Sequence, residues 1–162
     1  MHSTPDWYSA QDAEWHAGLV RIKRLRDDVE LPTWGTSRSA GFDLRVPDDV
    51  TIANLATEVV GLGLVIATPP EHMLLVAPRS STFVKWGVKL ANTVGVVDED
   101  YSGDEDELRL LLHNPSAKRW ATIPAGTRVA QGIFVPISRE VTWREVDAMG
   151  ASRGGLGSTG TN

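Results

Sequence analysis

Asp98 stands directly after the β-branched pair Val96 and Val97, where the end of a strand can hold a carboxylate rigidly beside a pocket. A carboxylate in that position acts as a general base where its surroundings tune it, and otherwise caps the turn that follows. The surrounding stretch, residues 92–103 (Asn-Thr-Val-Gly-Val-Val-Asp-Glu-Asp-Tyr-Ser-Gly), reads as a β-hairpin. Gly95 interrupts its apolar run, and acidic turn residues precede Tyr101.

Four other patches carry residues suited to chemistry. At 40–44, Ala-Gly-Phe-Asp-Leu puts Asp43 at a strand start, as a reactive carboxylate or as a turn residue bonded to nearby backbone. At 78–82, Pro-Arg-Ser-Ser-Thr offers the Arg79 guanidinium, the Ser80 and Ser81 hydroxyls and consecutive N–H groups, which suit a phosphate or a capped turn equally. At 128–131, Arg-Val-Ala-Gln alternates so that Arg128 and Ala130 share one strand face, Val129 and Gln131 the other. An amide in so apolar a strand needs a partner, for which backbone would do. The fourth patch is the glycine-rich tail from Gly150, with Arg153, Ser158 and Thr159 among its glycines. Such N–H groups can wrap a polyphosphate, but no Gly-Lys-Ser or Gly-Lys-Thr marks a Walker loop.

Strands must position these patches. Period-two alternation predicts strands over residues 19–25, 42–46, 57–68, 73–77, 84–90, 108–112 and 128–137, with glycine and proline between most of them. Many short strands predict an all-β sandwich or barrel. Before them, Ser9 as N-cap and Gly18 as terminator predict a short helix, with Trp7, Tyr8 and Trp15 as its apolar face. The expected organisation is an N-terminal extension at 1–18, a β domain at 19–149 and a flexible arm at 150–162.

The 162 residues suffice for one domain with a real core. The absence of cysteine excludes disulfides and thiol chemistry. A net charge of −5 argues against nucleic-acid binding by phosphate neutralisation, so positive charge for an anionic ligand must be local. No apolar run approaches the roughly 20 residues of a membrane span, and the N-terminus lacks the pattern of a secretory signal. The expected location is cytoplasmic, in a cell or a virus-infected host cell.

Taken in order, the patches at 40–44, 78–81, 95–103, 128–131 and 154–160 resemble the five motifs of the trimeric dUTPase family. The resemblance runs from about Val20 to the C-terminus. It implies a homotrimeric jelly-roll β protein, with sites at subunit interfaces, that hydrolyses dUTP to dUMP and pyrophosphate. That activity would keep uracil out of DNA and supply dUMP for dTMP synthesis. It implies Mg²⁺ carried by the substrate phosphates and water, without direct protein ligands. By the same resemblance Asp98 matches the general base, and Tyr101 the ring under the deoxyribose. Asn92 and the backbone of Gly95 and Val97 match the uracil reader. Arg79, Ser80 and Ser81 match the phosphate turn supplied by a neighbouring subunit. Gln131 matches the holder of the reactive water or the metal's water shell, and Asp43 the supporting carboxylate. Gly155, Leu156, Gly157, Ser158 and Thr159 match the arm that closes the site.

The chain departs from the family at three places. Leu156 stands where a phenylalanine usually covers the uracil. Ala151 replaces an arginine, leaving Arg153 to contact the γ-phosphate, and an acidic insert at 104–107 reads as a solvated turn. A dCTP deaminase shares the Arg-Ser-Ser turn but needs a glutamate three residues before the match to Asn114, where this chain has Leu111. The remaining alternative is a catalytically weak dUTP-binding or regulatory protein, for which the aromatic N-terminal extension offers a partner surface.

Overall fold

The computed structural model describes residues 14–152. The architecture is all-β, as the alternation predicts. The strands in chain order are β1 (Ile22–Arg24), β2 (Thr33–Trp34), β3 (Phe42–Arg45), β4 (Val50–Ile52), β5 (Thr57–Gly61), β6 (Leu64–Ile66), β7 (His72–Pro78), β8 (Lys89–Leu90), β9 (Gly95–Val97), β10 (Arg109–His113), β11 (Ala121–Ile123) and β12 (Arg128–Pro136). A single-turn helix, α1 (Thr82–Trp86), separates β7 from β8.

An antiparallel five-stranded sheet has the order β2-β3-β12-β7-β9, and a three-stranded sheet the order β5-β10-β8. Two ribbons, β1-β6 and β11-β4, complete the set. One apolar cluster joins them: Leu44 from β3, Ile52 from β4, Leu74 from β7, Leu110 and Leu112 from β10, Ile123 from β11 and Val129 from β12 are almost wholly buried. In β10 the alternation is literal, since Leu110 and Leu112 face inward while Arg109 and Leu111 face out. Each such buried leucine contributes roughly 1.5–3 kcal/mol relative to an exposed one.

Three expectations are corrected. The single strand predicted over 57–68 is two strands in different sheets, because Gly63 adopts a left-handed φ of 66° and turns the chain. Residues 84–86 belong to α1, not to a strand. Thr82 is buried and Trp86 half-buried one helical turn later, while Phe83 and Val84 face out, so the apolar spacing was helical. The Gly87 N–H closes that helix on the Phe83 carbonyl at 2.8 Å, leaving only Lys89–Leu90 extended. Residues 92–103 do not pair with themselves. β9 lies against β7 at the sheet edge, and the chain then turns away with no return strand before β10.

Of the N-terminal helix, residues 14–16 are described and are helical, ending as expected at Gly18, whose N–H donates to the Trp15 carbonyl at 2.8 Å. Trp15 lays its ring edge-on to His72 and Phe134, at centroid distances of 5.2 and 6.1 Å. Ser9, Trp7 and Tyr8 lie outside the described residues.

Candidate functional site

Asp43 is the most buried charge near the rim, at 5 % exposure on β3. Its two oxygens serve two arginines. Oδ1 is paired with Arg79, and Oδ2 accepts from Arg128 Nη1 at 3.0 Å. Burial, and after it the charge of Arg128, pull the Arg79 guanidinium below its ordinary pKa. One carboxylate against two guanidiniums leaves a surplus positive charge, in a protein whose net charge is −5. That is the local cation an anionic ligand requires.

A β-bulge makes this pairing. The register of β12 against β3 shifts between Arg128 and Ala130, so Arg128 and Gln131 come to the same side of the strand instead of opposite sides. Strict alternation therefore misplaced Arg128, and only the bulge brings it to Asp43. The carbonyl of the bulged Val129 is also used: it accepts from the Arg79 N–H at 3.3 Å and from the Thr82 hydroxyl at 2.6 Å. The turn bearing Arg79 and Ser80 is thereby tied to the strand bearing Gln131.

Gln131 lies opposite Asp43 across the β12–β3 ladder, and its Nε2 reaches the Pro78 carbonyl at 3.4 Å. With Ser39, Gly41, Asp43, Arg79 and Ser80 it lines a cleft of about 260 Å³. Ser81 sits at the N-cap of α1, its carbonyl accepting from the Lys85 N–H, and does not line this cleft.

The second group gathers elsewhere. Asn92, Gly95 and Val97 line a cleft of about 160 Å³ between β9 and β10, closed by Val76, Leu90 and Leu110. Gly95 lets the strand lie close on β7, since a Cβ there would stand 3.2 Å from that of Val76. Adjoining it, Asp98 and Tyr101 share a cleft of about 240 Å³ with Glu107 and Arg109. Asp98 is exposed, and the Tyr101 hydroxyl donates to the Glu107 carbonyl at 3.1 Å.

The acidic insert is a turn, as expected, with Asp104 and Glu105 exposed and Asp106 and Glu107 half-buried. Glu107 accepts the Gly63 N–H at 2.8 Å, Asp106 accepts the Gly103 N–H at 2.7 Å, and Asp104 pairs with Lys23 at 2.8 Å. The run braces the segment between Asp98 and β10, which charge count alone could not reveal. Asn114 is likewise structural: its Nδ2 donates to the carbonyls of Ile52, Ala53 and Arg119, and its Oδ1 accepts from Ser116. Leu111 lines the cleft with Asn92.

The Asp43 group and the Asp98 group do not meet in one cleft of the chain among the described residues. A separate hollow of about 500 Å³ under Trp15, Trp34, Phe42 and Phe134 is largely apolar and has no ionisable lining. Among the described residues no three or more His, Asp or Glu gather at metal-binding spacing, and no helix is long and apolar enough to cross a membrane. Arg153, Gly155, Leu156, Gly157, Ser158 and Thr159 lie outside the described residues.

An all-β body with a cationic anion cleft at one rim, and an exposed carboxylate beside a backbone-lined cleft at another, is equipped as a ligand-binding protein for polar, anionic molecules. A model of the dUTPase family matches residues 27–160. The deoxyuridine 5'-triphosphate nucleotidohydrolase of Hydrogenobaculum sp. is 36% identical over 142 residues, covering 86% of this chain and 96% of that protein. That of Rickettsia prowazekii is 36% identical over 147 residues, covering 87% and 96%. Among solved structures, the dUTPase from Streptococcus mutans superposes with a TM-score of 0.67 at 30% identity, over 72% of this chain and 95% of that one. The dUTPase of Staphylococcus bacteriophage 80alpha, solved with dUPNHPP, gives 0.76 at 19% identity over 88% and 98%, a likeness of fold. The chain belongs to the dUTPase family.

Proposed function

We propose that this protein hydrolyses dUTP to dUMP and pyrophosphate, with Asp98 as general base and with each site completed by a second copy in a homotrimer. The observation that carries the reading is the separation of two complementary half-sites: a cationic cleft at Asp43, Arg79, Ser80 and Gln131, and a carboxylate-bearing cleft at Asn92, Gly95, Asp98 and Tyr101. Each lacks what the other supplies. Subunit contact that apposes them builds a nucleoside subsite beside a phosphate subsite.

In that arrangement Asp98 takes a proton from the water that attacks the α-phosphorus. Gln131 orients that water through its carboxamide, and the surplus guanidinium charge of Arg79 and Arg128 steadies the charge that builds on the phosphate oxygens. Asn92 and the backbone of Gly95 and Val97 read the uracil edge. The Tyr101 ring, fixed by its bond to the Glu107 carbonyl, lies under the sugar and leaves no room for a 2′-hydroxyl. Residues 150–162 form the closing arm, with Arg153 on the γ-phosphate and Leu156 over the base. The donor set fits magnesium held by substrate phosphates, because a carboxylate, an amide and a serine hydroxyl can bond its water shell where no protein cage is needed. When bound, the ion offsets triphosphate charge. Residues 1–18 offer a surface for a partner protein, and the expected location remains the cytoplasm.

The cleft between β9 and β10 bears Leu111 where deamination of a cytosine ring needs a carboxylate, and Asn114 is wholly engaged in structure. Pyrophosphate release from dUTP, dCTP, dTTP and UTP tests the reading. Rapid turnover of dUTP alone, reduced at least a thousandfold, on the order expected for a lost base acting with its oriented water, by Asp98→Asn, is the expected result. Intact dUTP binding without turnover in the unaltered protein would instead make it a binding protein.

A further inference from the structure

Glu99 follows Asp98 and is the point at which three segments of the chain meet. Its Oε2 accepts from Arg139 Nη1 at 2.5 Å and from the Glu71 N–H at 3.1 Å. The Glu71 carbonyl in turn accepts from the Ile137 N–H at 2.9 Å. The turn before β7, the segment leaving β12 and the turn after β9 are thereby closed on one side chain, 29 % exposed against 55 % for Arg139. Among the described residues no side chain holds the Asp98 carboxylate itself. Its place depends on backbone alone, with the β7–β9 ladder at Val97 on one side and the Glu99 clip on the other.

We propose that Arg139 is a positioning residue for hydrolysis: by pinning Glu99 it fixes the backbone that presents Asp98, and it sets a cation beside three successive carboxylates, Asp98, Glu99 and Asp100. The inference rests on Asp98 being the base. A charge-assisted bond is short and directional, so it suits a clip of this kind. The acidic turn is felt at the arginine, whose pKa is raised chiefly by the bond to Glu99, opposed next by burial, and raised further by the lesser charges of Glu99, Asp100 and Asp98. The other ionisable groups lining the cleft with Asp98 are Tyr101, Glu107 and Arg109.

The test measures kcat and KM for dUTP with the full-length protein and its Arg139→Ala, Arg139→Lys, Glu99→Gln and double Arg139→Ala/Glu99→Gln variants. Arg139→Ala is expected to lower kcat on the order of tenfold, as misplacement of a reacting group does, with KM within about twofold. Arg139→Lys restores most of kcat. Glu99→Gln lowers kcat to a similar extent, and the double variant loses no more than either single one. Should Arg139→Ala not fold, Glu99→Gln and Arg139→Lys carry the same comparison. Unchanged kcat in Arg139→Ala, or additive losses in the double variant, overturns the proposal, even if thermal stability falls. Turnover surviving Asp98→Asn would overturn the base assignment instead, and that control is read separately.

Discussion

Asp43 is a carboxylate shared between two guanidiniums, and its removal leaves Arg79 and Arg128 facing each other with nothing between them. Asp43→Asn should therefore destabilise the fold by about 2–4 kcal/mol, short of the full penalty for breaking a buried pair, because 46 % of the Arg128 side chain is in water. The urea midpoint at constant m-value measures this. The same change should weaken phosphate binding less than Arg79→Ala, since both cations remain, and the ratio of their KM values for dUTP checks the order. Of these residues, Asp43, Arg79, Ser80 and Gln131 were legible as members of an ordered set of motifs. Arg128 was not, because one extra residue in a ladder reverses the faces that a period-two reading assigns. Glu99 and Arg139 were equally hidden: they lie 40 positions apart, and the pairing of β7 with both β9 and β12 brings them together.

At the scale of elements, β12 runs between β3 and β7 and pairs with both over Ala130, Gln131 and Gly132. A Cβ on Gly132 would stand 2.4 Å from the Phe42 ring and 3.1 Å from Leu74, so Gly132→Ala must displace a ring that also packs on Trp34 and Phe134. A loss of about 1–3 kcal/mol is expected from such overpacking, seen as a lowered Tm without loss of the trimer. The longer strands β7, β10 and β12 were legible because several of their residues alternate between buried and more exposed, most fully in β10. β3 was legible from its sequence, Phe42 and Leu44 alternating with Asp43 and Arg45, although Asp43 is buried with them. β2, β4 and β11 were not foreseen, since two or three residues carry too little period to read. The predicted strand at residues 84–90 failed for the opposite reason. Phe83 and Val84 are apolar yet exposed on a helical turn, so hydrophobicity without burial mimicked a strand.

For the molecule as a whole, the proposed function completes each half-site with a second copy, which makes quaternary structure and activity one question. Removal of everything after Gly150 should leave a trimer by sedimentation and a Tm within a few degrees of the full chain. If residues 150–162 act as the closing arm proposed above, pyrophosphate release should fall at least a hundredfold. Sedimentation as monomers would assign the tail a structural task. The sheet that carries the Asp43 cleft has a further property: β12, the last strand among the described residues, is the central strand of its sheet, and it reaches Asp43 from 85 positions away. A chain leaving the ribosome exposes β3 and β7 with their inner edges unpaired until residues 128–136 have emerged, so strand pairing is delayed nearly to the end of synthesis. The cleft lined by Asp43, Arg79 and Gln131 is then completed in the same step that closes the sheet.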